Sequence, residues 1–131
     1  MVSINYEASR SAPPSSELRI EVERRQGVCY LRCVGRLVGG ADPEYLRIKS
    51  EEIKKLNCGK ILADFKDVPQ IGSSGLSFIV SLYASILRNP EGRFVLAGVH
   101  PRVREILDLT RLSSVIPLAG TVDEAFESLM Q

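Results

Sequence analysis

Lys60-Ile61-Leu62-Ala63-Asp64-Phe65 is a short, nearly continuous apolar run. The loop from Asp67 to Gly72 carries it into Gly72-Ser73-Ser74-Gly75, and Ile79, Leu82, Tyr83, Ile86 and Leu87 then recur at helical spacing. A strand without apolar and polar alternation is one covered on both faces, as central strands of a parallel sheet are. The helix that follows is the best-patterned in the chain, and Asn89-Pro90-Glu91-Gly92 ends it.

The same unit recurs downstream. Arg93 to Val99 repeats the central-strand character, and His100-Pro101 opens a helix bearing Val103, Ile106 and Leu107. Val115 to Leu118 is a brief final strand candidate. Thr121-Val122-Asp123-Glu124 then forms a capping box for a helix whose buried stripe is Val122, Ala125, Phe126 and Leu129.

Upstream, Leu18, Ile20 and Val22 alternate with charged residues, Gln26-Gly27 makes a turn, and a second apolar run extends from Val28 to Val34. That is a β-hairpin with one wet face. Gly39-Gly40-Ala41 is a loop. Asp42-Pro43-Glu44 is an N-cap, a proline at the first helical position and an acidic first turn, and Leu46, Ile53 and Leu56 share the buried face of the helix it starts. Asn57-Cys58-Gly59 stops that helix.

A hairpin followed by alternating strands and helices predicts an α/β fold, a mixed sheet of four or five strands with helices near 42–56, 74–88, 101–109 and 122–130. With 131 residues the chain has room for one core. Met1 to Glu17, rich in serine and proline, offers little apolar surface and is expected to be a flexible leader to a domain spanning 18–131.

Composition narrows the function. Seventeen Lys plus Arg against sixteen Asp plus Glu leave a formal charge of +1, which gives no broad attraction for nucleic acid. No apolar stretch approaches the ~20 residues of a spanning helix, and a cytoplasmic protein is expected. Cys29, Cys33 and Cys58 are an odd set without the spacing of a metal-binding knuckle, so buried free thiols are favoured over a metal site or a disulfide. No cofactor or metal is expected.

Gly72-Ser73-Ser74-Gly75 lies at a strand-to-helix junction, where backbone N–H groups lack helical acceptors and the macrodipole is positive. Two readings fit the residues: serines that merely cap the helix beside glycines that relieve crowding, or a functional Ser73 on which an anion is stabilised. An accessible hydroxyl beside unpaired amides is expected of Ser73, exposed at the N-terminal end of the 74–88 helix, with Ser74 turned toward the backbone as a cap.

A resemblance bears on that choice. Ile61-Leu62-Ala63-Asp64-Phe65, Val68, Ile71 and Ser73-Ser74-Gly75-Leu76 resemble the strand, loop and helix start that carry the D-S-[ST]-G-L motif of STAS domains. Phe94-Val95-Leu96-Ala97-Gly98-Val99 resembles that family's next strand. Pro101-Arg102-Val103-Arg104, Leu107, Leu109-Thr110, Leu112 and Val115-Ile116-Pro117 resemble its following helix and turn, and Thr121 to Ala125 the start of its last helix. The likeness runs over residues 18 to 130 in unbroken order.

What the resemblance implies is an anti-sigma factor antagonist working by partner switching. It would bind an anti-sigma factor that is also a serine kinase, until phosphorylation of the first serine of the motif, here Ser73, ends the binding and a phosphatase restores it. Val38, Gly39, Asp42, Gly72, Ser73, Ser74 and Gly75 are then the expected partner-binding residues. The chain departs from the family pattern at Gly72 and at Val38, where aspartates are usual. The alternative these departures favour is a STAS scaffold or accessory subunit of a transporter or signalling complex that is not phosphorylated.

Catalysis is not expected. The serines lack the G-x-S-x-G frame, and no acidic residue is placed by sequence to orient His100, the only histidine, which is better read as opening a helix. Neither Gly39-Gly40 nor Gly72 to Gly75 is followed by the lysine of a phosphate loop. Arg102, Arg104 and Arg111 are expected on a solvated helix face.

Overall fold

The computed structural model describes residues 19–35 and 43–131. The expected leader, and Val38, Gly39 and Asp42 with it, lie outside those residues. Five strands, β1 (Arg19–Arg25), β2 (Val28–Val34), β3 (Lys60–Asp67), β4 (Arg93–Ala97) and β5 (Leu118–Ala119), form one sheet in sequence order. β1 is antiparallel to β2 and every other neighbouring pair is parallel. The helices are α1 (Pro43–Lys55), α2 (Ser73–Ile86), α3 (Pro101–Leu109) and α4 (Val122–Met130). This is the mixed α/β sheet expected, with its upper number of strands.

The hairpin turns at the two residues expected. Gln26 and Gly27 have φ of 51° and 81°, and Arg25 pairs with Val28, so the loop has two residues. Positive φ at both central positions matches the right-handed twist of the flanking strands, and glycine adopts it without a Cβ penalty.

Three parallel crossovers step in one direction across the sheet, and α1, α2 and α3 share one face. Leu46 and Ile53 of α1, Phe78, Ile79, Leu82 and Ile86 of α2, and Val103 and Leu107 of α3 pack there on Cys29, Leu31, Ile61, Ala63, Phe65, Phe94 and Leu96. The opposite face is narrower: Ala125 and Leu129 of α4 cover Val28, Tyr30, Leu62, Val95 and Ala97. β3 therefore has apolar neighbours on both sides, which explains its unbroken apolar run. At Gly92, which closes the turn after α2, a Cβ would lie 1.9 Å from the Ile86 carbonyl oxygen, so the turn has no room for a side chain.

Two expectations are corrected. Cys29 and Cys58 are joined in a disulfide, and Cys33 alone is a buried free thiol. The crossover through α1 sets the Asn57-Cys58-Gly59 turn at the start of β3 beside β2, where Cys29 pairs with Ile61, so two cysteines distant in sequence meet. A bond closing a span of 29 residues restricts the unfolded chain by roughly 3–4 kcal/mol in the chain-entropy account. The final strand starts later than expected: Leu118 and Ala119 pair with Leu96 and Ala97, while a short 3-10 turn, Leu112–Ser114, leads into Val115.

The capping box is present in a shifted form. Thr121 Oγ1 accepts from the Glu124 amide at 3.1 Å, but the Glu124 carboxylate reaches back past Thr121 to accept from the Gly120 amide, also at 3.1 Å. Two amides at the helix start are satisfied either way.

Candidate functional site

The serine loop is positioned by the exit of β3. The Gly35 amide donates to Asp67 O at 3.0 Å and the Val68 amide to Phe65 O at 3.0 Å, which turns the chain over the C-terminal edge of the sheet. Val68, wholly buried, and Ile71, 8% exposed, pin the loop into the core. Gly72 then has extended backbone, φ −123° and ψ −166°, and its carbonyl accepts the first helical bond from the Leu76 amide at 2.9 Å.

Gly72 is thus the N-cap of α2, and it supplies no side-chain cap. The expectation that Ser74 is the capping residue is corrected: Ser73 and Ser74 occupy the first two helical positions, past the place from which a side chain caps. Ser73 is exposed, Ser74 half-buried and Gly75 buried. A hydroxyl at the first position stands at the positive end of the macrodipole, where added negative charge is favoured.

The stretch of chain that carries Ser73 is itself free of charge. The twenty residues from Val68 to Leu87 contain no charged side chain and no histidine. Along α2 the exposed positions are Ser73, Ser77, Val80, Ser81 and Ala84, small and neutral over three turns. Solvated helix faces usually carry charge, and a face free of charged residues is the composition found at interface cores. Between α1 and α2 a groove of about 440 Å³ runs from Ser74 past Ser77 and Ser81, with Arg47, Glu51 and Lys54 on its far wall.

On the other side of the loop is an open cleft of about 340 Å³ lined by Pro69, Gln70, His100, Pro101 and Arg102. His100 opens α3 as expected and also fastens it, because its Nε2 donates to the Lys66 carbonyl at 2.7 Å and so ties the start of α3 to the exit of β3. Arg102, Arg104 and Arg111 are exposed, and Arg104 pairs with Asp108 at 3.0 Å on its own helix. No cluster of three potential metal ligands occurs among the described residues.

A polar site that the sequence reading passed over lies beneath the exit of β3. Asp64 is 1% exposed, accepts from the Tyr30 hydroxyl at 2.7 Å and from the Lys66 amide at 3.1 Å, and has Lys66 Nζ at 3.7 Å. A carboxylate inside an apolar strand run was the available signal, since a buried charge needs partners; naming them required the β2–β3 register. Burial, then the hydrogen bond to the Asp64 carboxylate, pushes the Tyr30 phenol up to about 12. Because its folded value exceeds the ordinary 10, Tyr30 contributes stability that is complete below pH 10 and is lost as pH rises towards 12. Denaturant midpoints measured over that interval should fall less steeply for Tyr30→Phe than for the parent protein.

The family model for the STAS domain matches residues 19–125. The chain belongs to the STAS domain family. Among curated relatives of this STAS domain, the anti-sigma F factor antagonist of Paenibacillus polymyxa is 28% identical over 101 residues, covering 77% of this chain and 86% of that protein. The crystal structure of an anti-sigma factor antagonist from Mycobacterium paratuberculosis superposes with a TM-score of 0.79 at 24% identity, over 92% of this chain and 99% of that one. The Bacillus cell fate determinant SpoIIAA in its phosphorylated form shares the fold with a TM-score of 0.64 at 20% identity, over 84% and 98% of the two chains. No described helix of this STAS domain is long and apolar enough to cross a membrane.

Proposed function

We propose that this STAS domain is a non-catalytic anti-sigma factor antagonist that works in the cytoplasm by partner switching. It binds an anti-sigma factor that is also a serine kinase, phosphorylation of Ser73 ends the complex, and a phosphatase restores it. The contact surface is residues 38–42, with Val38, Gly39 and Asp42, the 69–74 segment with Gly72, Ser73 and Ser74, and the exposed side of α2. No nucleic acid takes part.

The observation that carries this reading is an exposed serine hydroxyl at the first position of a helix whose outer face bears no charge. A neutral face suits close contact with a protein partner. A phosphoserine there adds about −1.5 to −2 charge at pH 7, and that charge must be desolvated or repelled if the partner is to stay. The helix itself is not harmed, because its N-terminus favours an anion. The curated antagonist relative supports this reading, and a neighbour of the same fold exists in a phosphorylated form.

Gly72, where the family usually has aspartate, favours a second reading, a STAS scaffold for a transporter or signalling assembly that is never phosphorylated. Affinity capture from the native cell with the tagged chain separates the two. A histidine-kinase-like serine kinase recovered in stoichiometric amount is the expected result. Recovery of a membrane transporter without any kinase would replace the antagonist with the scaffold.

A further inference from the structure

The disulfide that overturned the free-thiol expectation is unequally exposed. Cys29, on β2, is fully buried, whereas Cys58, in the turn between α1 and β3, is 8% exposed. Cys58 also lines a cleft of about 100 Å³ between the C-terminal ends of α1 and α2, with Lys54, Asn57, Ser85 and Asn89 around its mouth. Cys58 is thus the partner nearer to solvent, reached through that cleft, and Cys29 is the more deeply buried of the two.

What the bond holds is local. Cys58 follows Asn57, a non-glycine residue in the left-handed region at φ 54°, and precedes β3 by two positions. A side chain in that region carries a conformational cost that its surroundings must offset. The sheet does not depend on the bond, since β2 and β3 are joined by their own ladder from Val28–Lys60 onward. α1 retains Leu46 and Ile53 in the core without it. The element that gains most from the bond is the Asn57-Cys58-Gly59 turn with the last turn of α1.

We propose that Cys29 and Cys58 form a thiol–disulfide latch on the α1–β3 turn, opened by small thiols that enter the cleft beside Cys58 and closed again by their disulfides. A thiolate attacks Cys58 Sγ, the Cys29–Cys58 bond breaks, and Cys29 leaves as a thiolate that takes up a proton. A second thiolate attacks the small-molecule sulfur of the mixed disulfide, which releases Cys58 as a thiolate and forms the small-molecule disulfide. Two electrons pass to the protein, and the reverse exchange returns them. Cys33 takes no part: it is 1% exposed, and burial raises its thiol well above the ordinary range.

Opening frees the last turn of α1, which carries Lys54 at one end of the wall of the groove beside Ser74, Ser77 and Ser81, so the latch sets the firmness of that end. The latch stands whether or not Ser73 is a phosphoacceptor, because it rests on the sulfur pair and its cleft.

The test equilibrates the full chain with reduced and oxidised glutathione at graded ratios, without denaturant, and then alkylates and maps the cysteines. Hydrogen exchange is measured on the fully oxidised and fully reduced forms. The expected result is reversible interconversion of Cys29–Cys58 with Cys33 unalkylated throughout. Amide exchange over residues 50–59 should be faster by about tenfold or more in the reduced form, with β3 and β4 unchanged. Cys58→Ser should reproduce the reduced pattern; should that variant fail to fold, the two wild-type forms give the same comparison. The proposal is overturned if no Cys29–Cys58 peptide forms in the oxidised protein, if opening occurs only with added denaturant, or if reduction speeds exchange across the whole sheet.

Discussion

Ser73→Asp is expected to weaken the complex with the kinase partner by about tenfold or more, or ~1.4 kcal/mol, while Ser73→Ala binds within about twofold of the parent, as a surface truncation of one hydroxyl should. The contrast follows from the charge-free stretch between Asp67 and Arg88. A single carboxylate set in that face loses water on binding and meets no cation from its own stretch of chain to offset the loss. Aspartate carries about one charge where phosphate carries nearly two, so the substitution is a partial mimic and true phosphorylation should act more strongly. Thermal unfolding of Ser73→Asp should match the parent or rise slightly, since a negative side chain at the first helical position is favoured by about 0.3–1 kcal/mol. Titration calorimetry with the captured partner, run beside thermal denaturation, separates loss of binding from loss of fold.

Phe94→Ala is expected to cost about 3–5 kcal/mol, the range for removing a buried aromatic ring. Phe94 is 2% exposed on β4 and meets the Tyr83 ring of α2 edge-on, with centroids 6.0 Å apart and planes at 85°. Removing it opens a cavity under α2 and also removes an aromatic contact worth about 0.5–1.5 kcal/mol of its own. Against a total stability of about 5–15 kcal/mol for a domain of this kind, such a loss leaves a marginal protein. Phe94→Leu, which keeps most of the volume, should cost less than half as much. Urea denaturation measures both. Equal midpoints for Phe94→Ala and the parent would mean that α2 is not seated on β4 as described.

The elements read most securely in the sequence are those whose burial alone determines their pattern. β3 is covered on both faces and therefore shows no alternation, while α2 has a single buried stripe and shows the helical period. The two-residue turn at Gln26 and Gly27 is legible through Gly27, the residue type that positive φ favours, while Gln26 takes a positive φ its type does not announce. In the site, the exposure of Ser73 follows from its place at a strand-to-helix junction. Its neighbour is misassigned because Gly72 takes the cap position, and the boundary of a helix depends on a single residue's backbone angles.

Features that depend on register or on chain crossing are not legible. Cys29 and Cys58 carry no local sign of their union, since only the α1 crossover sets them side by side. Asp64 requires the alignment of β2 with β3 before Tyr30 can be named as its partner. β5 is two residues long and held by pairing with Leu96 and Ala97, too brief for any periodicity to show. The absence of charge across α2 is visible in the sequence, but it gains meaning only when Ser73, Ser77, Val80, Ser81 and Ala84 are seen on the exposed side of the helix.

Phosphate placement tests the central claim most directly. The parent chain, Ser73→Ala and Ser74→Ala are each incubated with the captured kinase and ATP, and the modified peptide is sequenced by tandem mass spectrometry. The account predicts one phosphate per chain on Ser73 in the parent and in Ser74→Ala, none in Ser73→Ala, and dissociation of the complex in step with the first two. Phosphate on Ser74 with Ser73 unmodified, or a complex that persists after Ser73 is fully phosphorylated, would contradict it.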